Sequence, residues 1–106
     1  MQILKVETSV ENDAAARELA ASVLEQRLAA CIQCERIMSH YRWDGSIACE
    51  EEVRMSFKTT LAARAALLRF LEGKHAYEVP EIVAHVVDTS AAYGEWVHAE
   101  VAHDGI

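Results

Sequence analysis

Residues 31–59, CIQCERIMSHYRWDGSIACEEEVRMSFKT, form two extended runs joined by Asp44-Gly45. Asp-Gly between two such runs is the strongest short-range signal of a β-hairpin with a two-residue turn, because both turn positions must tolerate positive φ. A two-residue turn places Trp43 opposite Ser46, so the numbers of paired residues sum to 89. The sequence therefore predicts one long antiparallel hairpin whose register is set by its turn.

This register predicts a hairpin whose two ends differ in polarity. On the face that carries Phe57, the end far from the turn is apolar, with Ile32, Cys34 and Met55, whereas the end near the turn is polar. Strands of about 13 residues are also long for a small domain, since most strands have about five or six. We infer that the turn half projects beyond the core as an oligomerisation arm, covered by another copy of the chain.

Two further strands and three helices are predicted from strand propensity and from apolar residues at three- and four-residue spacings. In chain order they are a strand over 2–8, helices over 13–30 and 61–74, a strand over 81–88 and a helix over 91–101 that Ser90 caps. The order βαββαβ with a C-terminal helix predicts an α+β fold in which two helices cover one face of an antiparallel sheet. A second subunit is the simplest cover for the other face.

Capping residues set the predicted ends of the two longer helices. Asn12 or Asp13 is a good N-cap for the first helix, and Thr59 or Thr60 for the second. Gly73 is expected to stop the second helix, because glycine favours the position just past a helix end. The apolar stripe of the first helix consists of Ala16, Leu19, Ala20, Val23, Leu24 and Leu28.

Composition and charge exclude several classes of protein. The 106 residues carry a net charge of −7, which predicts one domain that binds neither nucleic acid nor anionic membranes. There is no signal-peptide pattern, and no apolar run reaches the roughly 20 residues of a membrane span. Three cysteines without a signal peptide predict reduced thiols in the cytoplasm. The sequence has no Gly-rich phosphate loop, H-E-x-x-H or G-x-S-x-G motif, so we expect no enzymatic activity.

Two pairs of candidate metal ligands lie in the hairpin. Cys31 and Cys34 form a CxxC, but strand alternation sends residues i and i+3 to opposite faces, which favours a structural role. His40 and Cys49 are direct cross-strand partners in the predicted register, with Cβ atoms about 5 Å apart. Their imidazole and thiolate could share a soft metal such as copper or zinc. A one-residue bulge would separate them, and the alternative is an accidental pairing at a subunit contact.

Charged residues on the same strands predict ion pairs rather than a metal site. Glu50, Glu51 and Glu52 alternate between the two faces and cannot all bind one ion, so we expect them to be solvated or ion-paired. Glu35 falls opposite Arg54, which predicts a cross-strand ion pair.

Five stretches occur in a recognisable order: LAAC (28–31), YRWDGSI (41–47), EEVRMSFKTT (51–60), HAYEVPEI (75–82) and YGEW (93–96). Together they closely resemble the CutA family, the divalent-cation tolerance proteins. The match covers about residues 3–98, so the whole chain, 1–106, is interpreted as a single CutA-like domain.

The resemblance implies a ferredoxin-like fold assembled as a homotrimer, with long hairpins that wrap neighbouring subunits. It implies a non-enzymatic cytoplasmic protein that responds to divalent cations, with Cu²⁺ or another divalent cation as ligand and no organic cofactor. The fold and trimeric plan also resemble the PII signalling proteins. The alternative is therefore a PII-like signalling or adaptor module that binds a small ligand or a partner at a cleft between subunits.

The family motifs transfer to this chain position by position. The hairpin carries Cys31, Tyr41, Trp43 and Lys58, and the cleft between subunits would be lined by His75, Tyr77, Glu78, Pro80, Glu81 and Trp96. Ala76 stands where the family usually has proline. Some members also present a cysteine and two adjacent histidines as potential metal ligands, and the matching positions here are Thr8, Lys74 and His75. Of these three positions only His75 keeps a potential ligand. Together with the hairpin pair, the metal candidates are His75, Cys49 and His40.

The stretch HAYEVPE, residues 75–81, contains the only proline and has two interpretations. Pro80 fixes the entry of the chain into the last strand and biases the preceding residue to extended geometry. His75 and Glu78 or Glu81 are left as polar groups that face the cleft. The segment is either a rigid strand entry or a contact for a metal or ligand, and a trimer would present three copies of it.

Overall fold

The computed structural model describes residues 1–102 and has the predicted order of elements. They are β1 (Gln2–Val10), α1 (Asp13–Glu25), β2 (Cys31–Trp43), β3 (Ser46–Thr59), α2 (Arg64–Lys74), β4 (Ile82–Asp88) and α3 (Ala91–Glu100). The strands form a four-stranded antiparallel sheet in the order β2-β3-β1-β4. The predicted α+β, ferredoxin-like fold class is confirmed.

The β2–β3 hairpin has the predicted register without a bulge. Pairing is continuous from Trp43 opposite Ser46 to Cys31 opposite Lys58. The turn residues Asp44 and Gly45 have φ values of 52° and 78°. Both turn positions therefore adopt the left-handed conformation that the Asp-Gly signal predicts.

The turn half of the hairpin projects beyond the rest of the sheet. β1 pairs with β3 only as far as Val10 opposite Val53. Residues 37–52 therefore pair only with one another, within the hairpin. We call residues 37–52 the arm. Large apolar side chains on the arm keep 38 to 74% of their surface exposed, namely Met38, Tyr41, Trp43 and Ile47. The predicted projection is confirmed, and its cover by another copy stays a prediction.

The main core lies between the sheet and helices α1 and α2. Its strands contribute Leu4, Val6, Met55 and Phe57, and its helices contribute Ala16, Leu19, Val23, Leu67 and Leu71. Full burial of a large apolar side chain contributes about 1.5–3 kcal/mol, so this layer contributes strongly to the stability of the fold. Cys34 was expected at the apolar end of the hairpin, but it is exposed because β2 is an edge strand.

Helix α3 covers one end of the second face of the sheet. Strand alternation turns Ile3 away from Leu4. Ile3 is buried in a smaller cluster with Ala63, Val97 and Val101. The chain therefore supplies part of the cover that was expected from a second subunit.

Helix α1 ends five residues earlier than predicted, at Glu25. Arg27 has a φ of 56°, and the amide of Leu28 bonds to the carbonyl of Val23 at 3.1 Å, which is a Schellman C-cap. Leu24, which was placed on the apolar stripe, is 43% exposed. The early end was missed because this motif usually has glycine where Arg27 stands.

Helix α2 begins at Arg64 and continues through Gly73 to Lys74. Thr60 caps the preceding turn, because its Oγ1 accepts a hydrogen bond from the amide of Ala63 at 3.2 Å. Gly73 is therefore not the stop that was predicted. The N-caps of the other two helices, Asn12 and Ser90, are confirmed by their bonds to Ala15 and Tyr93.

Alanine substitutions of Gly94 and Gly73 are expected to have opposite effects. A Cβ at Gly94 would lie 2.5 Å from Met1 Sδ and 2.6 Å from Thr89 Oγ1, whereas one at Gly73 meets no described atom within 4 Å. We expect Gly94→Ala to lower the free energy of unfolding by about 1–2 kcal/mol through overpacking. Gly73→Ala should raise it by about 0.5 kcal/mol, because alanine favours a helix. Urea unfolding measures both, and shifts of the same sign would contradict the packing at Gly94.

Candidate functional site

His40 and Cys49 meet on the arm as the register predicts. They are direct partners, and Cys49 Sγ lies 3.9 Å from His40 Nε2. Both side chains are exposed, so a cation can approach them from solvent. Within residues 1–102, no group of three or more His, Cys, Asp or Glu side chains is arranged to hold a metal ion. The pair therefore offers two ligands, and further ligands would come from water or another copy.

The CxxC cysteines are kept apart by the strand that carries them. β2 runs unbroken through Cys31 and Cys34, which therefore lie on opposite faces. Although Cys34 is exposed, partial desolvation by its neighbours, followed by the charge of Asp13, raises the pKa of its thiol. The pKa of Tyr93 is raised by burial and then by its neighbour Cys31. This arrangement agrees with the structural role expected for the two cysteines.

His75 uses both ring nitrogens within the chain. Its Nε2 lies 2.9 Å from the carbonyl oxygen of Ser9 and 3.1 Å from Thr8 Oγ1, and its Nδ1 accepts the amide of Tyr77 at 3.1 Å. A carbonyl can only accept, so the proton is assigned to Nε2 in the neutral ring. A metal would have to displace one of these bonds. The metal role of His75 stays a prediction, and its contacts favour a structural role.

The far end of the HAYEVPE stretch is also tied to β1. Thr8 Oγ1 donates to the carbonyl oxygen of Glu81 at 2.6 Å. Pro80 is half-buried and shortly precedes the start of β4, whereas the Glu78 and Glu81 side chains are exposed. The segment is therefore held at both ends by the same strand, as the rigid-entry interpretation requires.

Tyr77 connects this segment to the base of the arm. Its ring lies 4.9 Å from that of His75, and its hydroxyl donates to Glu52 Oε2 at 2.7 Å. Burial, followed by the bond to Glu52, raises the pKa of Tyr77. Glu52 was expected to be solvated or ion-paired, but it is 9% exposed and bonded to a phenol. The contact was missed because nothing in the sequence pairs residues 25 positions apart in different elements.

A groove of about 310 Å³ runs between α1 and the start of the HAYEVPE stretch. Lys74, His75 and Tyr77 form one wall, and Glu11 and Glu18 stand on the other. Glu78, Pro80 and Glu81, which were expected to line a cleft, are not among its walls.

Of the remaining motif residues, Lys58 and Trp96 lie at the other end of the sheet and on its other face, whereas Tyr41 and Trp43 lie on the arm. Lys58 donates to Gln33 Oε1 at 2.7 Å and lies 6.0 Å from the ring centroid of Tyr93, whose ring is 5.7 Å from that of Trp96. Lys58 pairs with Lys5, three residues along β1 from Thr8. One chain therefore does not bring Lys58 and Trp96 together with His75, and a shared cleft would require a second copy.

Two polar contacts stiffen the hairpin. The Tyr41 hydroxyl donates to Glu50 Oε1, and this bond raises the pKa of Tyr41. Arg54 Nη1 lies 3.0 Å from Glu35 Oε1, which confirms the predicted ion pair. Both contacts are cross-strand and hold the hairpin in one register.

Comparisons with known proteins agree with these features. The family model of the CutA1 divalent ion tolerance protein matches residues 4–100. The divalent-cation tolerance protein CutA of Escherichia coli (strain K12 / DH10B) is 38% identical over 92 residues, covering 85% of this chain and 82% of its own length. Protein CutA of Mus musculus is 40% identical over 89 residues, which are 82% of this chain. The chain spans about half the length of that mouse relative, 50%.

Solved structures of similar proteins share the fold. CutA from Synechococcus elongatus PCC7942 has a TM-score of 0.92 at 36% identity, with 95% of this chain and 91% of that chain covered. The divalent cation tolerance protein of Thermus thermophilus has a TM-score of 0.87 at 32% identity, with 96% and 100% covered. Among residues 1–102, no helix is long and apolar enough to cross a membrane. The chain belongs to the CutA1 family of divalent ion tolerance proteins.

Proposed function

We propose that this protein serves divalent-cation tolerance by binding a divalent transition-metal cation, Cu²⁺ above all, through Cys49 and His40 without catalysing a reaction. The observation that carries the proposal is the distance of 3.9 Å between Cys49 Sγ and His40 Nε2. Thiolate and imidazole are ligands that copper and zinc prefer. The continuous register holds both groups on one face of the arm before any cation arrives.

The proposal includes a cytoplasmic homotrimer. All three cysteines are free, as the reducing cytoplasm requires. A similar protein from Archaeoglobus fulgidus, with a TM-score of 0.85 and 26% identity, is a periplasmic divalent cation tolerance protein, so the cytoplasmic location of this chain is part of the proposal. Three copies of the arm would bring three Cys49–His40 pairs into one assembly. Two ligands per chain then become part of a larger ligand set.

Removal of the Cys49 thiol is expected to abolish stabilisation by cations. A cation at 100 times its dissociation constant adds about 2.7 kcal/mol to the free energy of unfolding. We expect Cu²⁺ and Zn²⁺ to raise the melting temperature of the metal-free protein. Mg²⁺ should have no effect, because it prefers oxygen ligands. The shift should vanish in Cys49→Ala and in His40→Ala.

Two substitutions provide matched controls for the cation experiment. Cys34→Ala removes another exposed thiol, and His85→Ala removes an exposed imidazole on β4. Both should keep the full cation shift. An unchanged shift in Cys49→Ala would refute the proposed site, and its loss in His75→Ala alone would move the site to His75.

The second candidate is a PII-like module that binds a small ligand or a partner at a cleft between subunits. The groove of about 310 Å³ beside Lys74, His75 and Tyr77 supports it, because this groove would be one chain's side of such a cleft. This function predicts no melting shift with any of the three cations. The same scan therefore separates the two candidates.

A further inference from the structure

A row of basic side chains crosses the second face of the sheet. Lys5 on β1 pairs directly with Lys58 on β3 and, on its other side, with His85 on β4. Directly opposed residues of an antiparallel pair point to the same face, with Cβ atoms about 4.5–5.5 Å apart. We call Lys5, Lys58 and His85 the basic row. It brings together two of the three lysines of the chain.

The basic row lies beside the part of the sheet that α3 covers. Ile3, two residues before Lys5 on the same face, is buried in the cluster beneath α3. Lys5 keeps 31% of its side-chain surface exposed. Lys58 is half-buried, with its Nζ 6.0 Å from the ring centroid of Tyr93, and His85 is exposed. The two ammonium groups are therefore partly desolvated, which strengthens their interactions with other charges.

The charges of the basic row do not balance within the described chain. Glu7 is the only carboxylate of residues 1–102 that forms an ion pair with the row, with its Oε2 3.7 Å from Lys5 Nζ. The same oxygen accepts the Ser56 hydroxyl at 3.1 Å. Lys58 donates to the neutral side chain of Gln33 at 2.7 Å. Since directly opposed like charges destabilise a strand pair, the row has positive charge to spare in a chain whose net charge is −7.

A phosphate group has the charge and the acceptors that this row lacks. It carries about −1.5 to −2 charge at pH 7 and has three strong acceptor oxygens. Each lysine ammonium has three donors, of which Lys58 uses one for Gln33, and the imidazole of His85 can donate one more N–H. Donors on three neighbouring strands need more acceptors than the two oxygens of a carboxylate. Lysine is also a common phosphate ligand, because its ammonium acts as a point charge.

We propose that the basic row binds the phosphate group of a small molecule, with Lys58 and Lys5 as the charged contacts and His85 as a further donor. The inference rests on neither proposed function, because it uses neither the Cys49–His40 pair nor the groove beside His75. Cover of this face by another copy would take water from the ammonium groups and would make a counter-charge more necessary.

Calorimetric titration of the whole, assembled protein with inorganic phosphate tests the site. We expect saturable binding, which Lys58→Met and Lys5→Met each weaken about tenfold, because each removes one charge-assisted contact. If one of these variants does not fold, the other provides the test. Lys74→Met, the matched control, removes the third lysine, which lies on the groove beside His75, and should bind like the parent. Cys49→Ala should also bind normally, which separates this site from the proposed cation site.

Two further titrations identify the source of the phosphate and exclude a general salt effect. Phenyl phosphate adds a ring that can lie against Tyr93. Tighter binding of phenyl phosphate would support the site with a phosphate ester as its ligand, and equal affinity would support it with free phosphate. NaCl at equal ionic strength should not reproduce the binding heat.

Three results would overturn the proposal. The first is the absence of saturable binding, which is also the result expected if carboxylates of another copy already neutralise the row. The second is equal weakening by Lys74→Met and Lys58→Met, which would mean that the lysines act only through the overall charge of the protein. The third is an equal response to NaCl.

Discussion

His75→Ala is expected to lower the free energy of unfolding of the metal-free protein by about 2–4 kcal/mol. The substitution removes the bonds of the ring to Ser9, Thr8 and Tyr77. A typical hydrogen bond contributes about 1 kcal/mol, and a buried group left unpaired costs about 1–3 kcal/mol more. Ser9 is 4% exposed, so water replaces its lost partner poorly. Urea unfolding followed by circular dichroism measures the difference.

Two variants make the His75 experiment specific. His85→Ala removes an exposed histidine that makes no side-chain hydrogen bond within the described chain, and it should change stability by less than about 0.5 kcal/mol. His75→Gln places an amide donor near the position of Nε2 and should restore part of the loss. A His75→Ala protein as stable as His85→Ala would show that the ring does not hold the segment. That result would favour the interpretation of His75 as a metal ligand.

The hairpin could be predicted because its geometry follows from local rules. Asp44-Gly45 fixes the turn, the turn fixes the register, and the register alone brings His40 to Cys49. The side chains on one strand face follow from period-2 alternation. The candidate cation pair was therefore accessible from sequence, and a single bulge is all that could have removed it.

The contacts of His75 could not be derived in this way. Its partners Thr8 and Ser9 lie 67 and 66 residues away, on a strand whose position depends on the whole fold. Sequence identified the histidine by motif, but not that both of its nitrogens are used. The hydrogen bond between Tyr77 and Glu52 could not be predicted either, because strand alternation says nothing about contacts with another segment.

The early end of α1 shows why helix boundaries are the hardest part of such a prediction. The apolar spacing continues to Leu28, but Arg27 turns into the left-handed region. Its side chain donates to the carbonyls of Ala99 and Glu100 at 3.2 and 3.1 Å, and so caps α3. The tertiary contact compensates a backbone conformation that the sequence disfavours.

Trp43→Asp is expected to prevent assembly and to leave the chain unfolded. Trp43 is 49% exposed in the single chain, where a polar substitution should cost less than about 0.5 kcal/mol. If another copy covers the arm, the exposed half of the indole is buried there, which contributes about 2–3 kcal/mol per chain. Aspartate would lose this contribution and would also bury a charge in the contact. If three chains share the defect and folding is coupled to association, the effect should exceed that of any other exposed position.

Leu24→Asp is the matched control for Trp43→Asp. Leu24 is 43% exposed on α1, so the two side chains are almost equally accessible in one chain. Size-exclusion chromatography with light scattering, together with circular dichroism, compares the variants at equal concentration. A folded trimer for Leu24→Asp and an unfolded chain for Trp43→Asp would locate the subunit contact on the arm. A folded monomer in Trp43→Asp would mean that the arm stands free in solution, and the three-copy ligand set proposed for the cation would lose its basis.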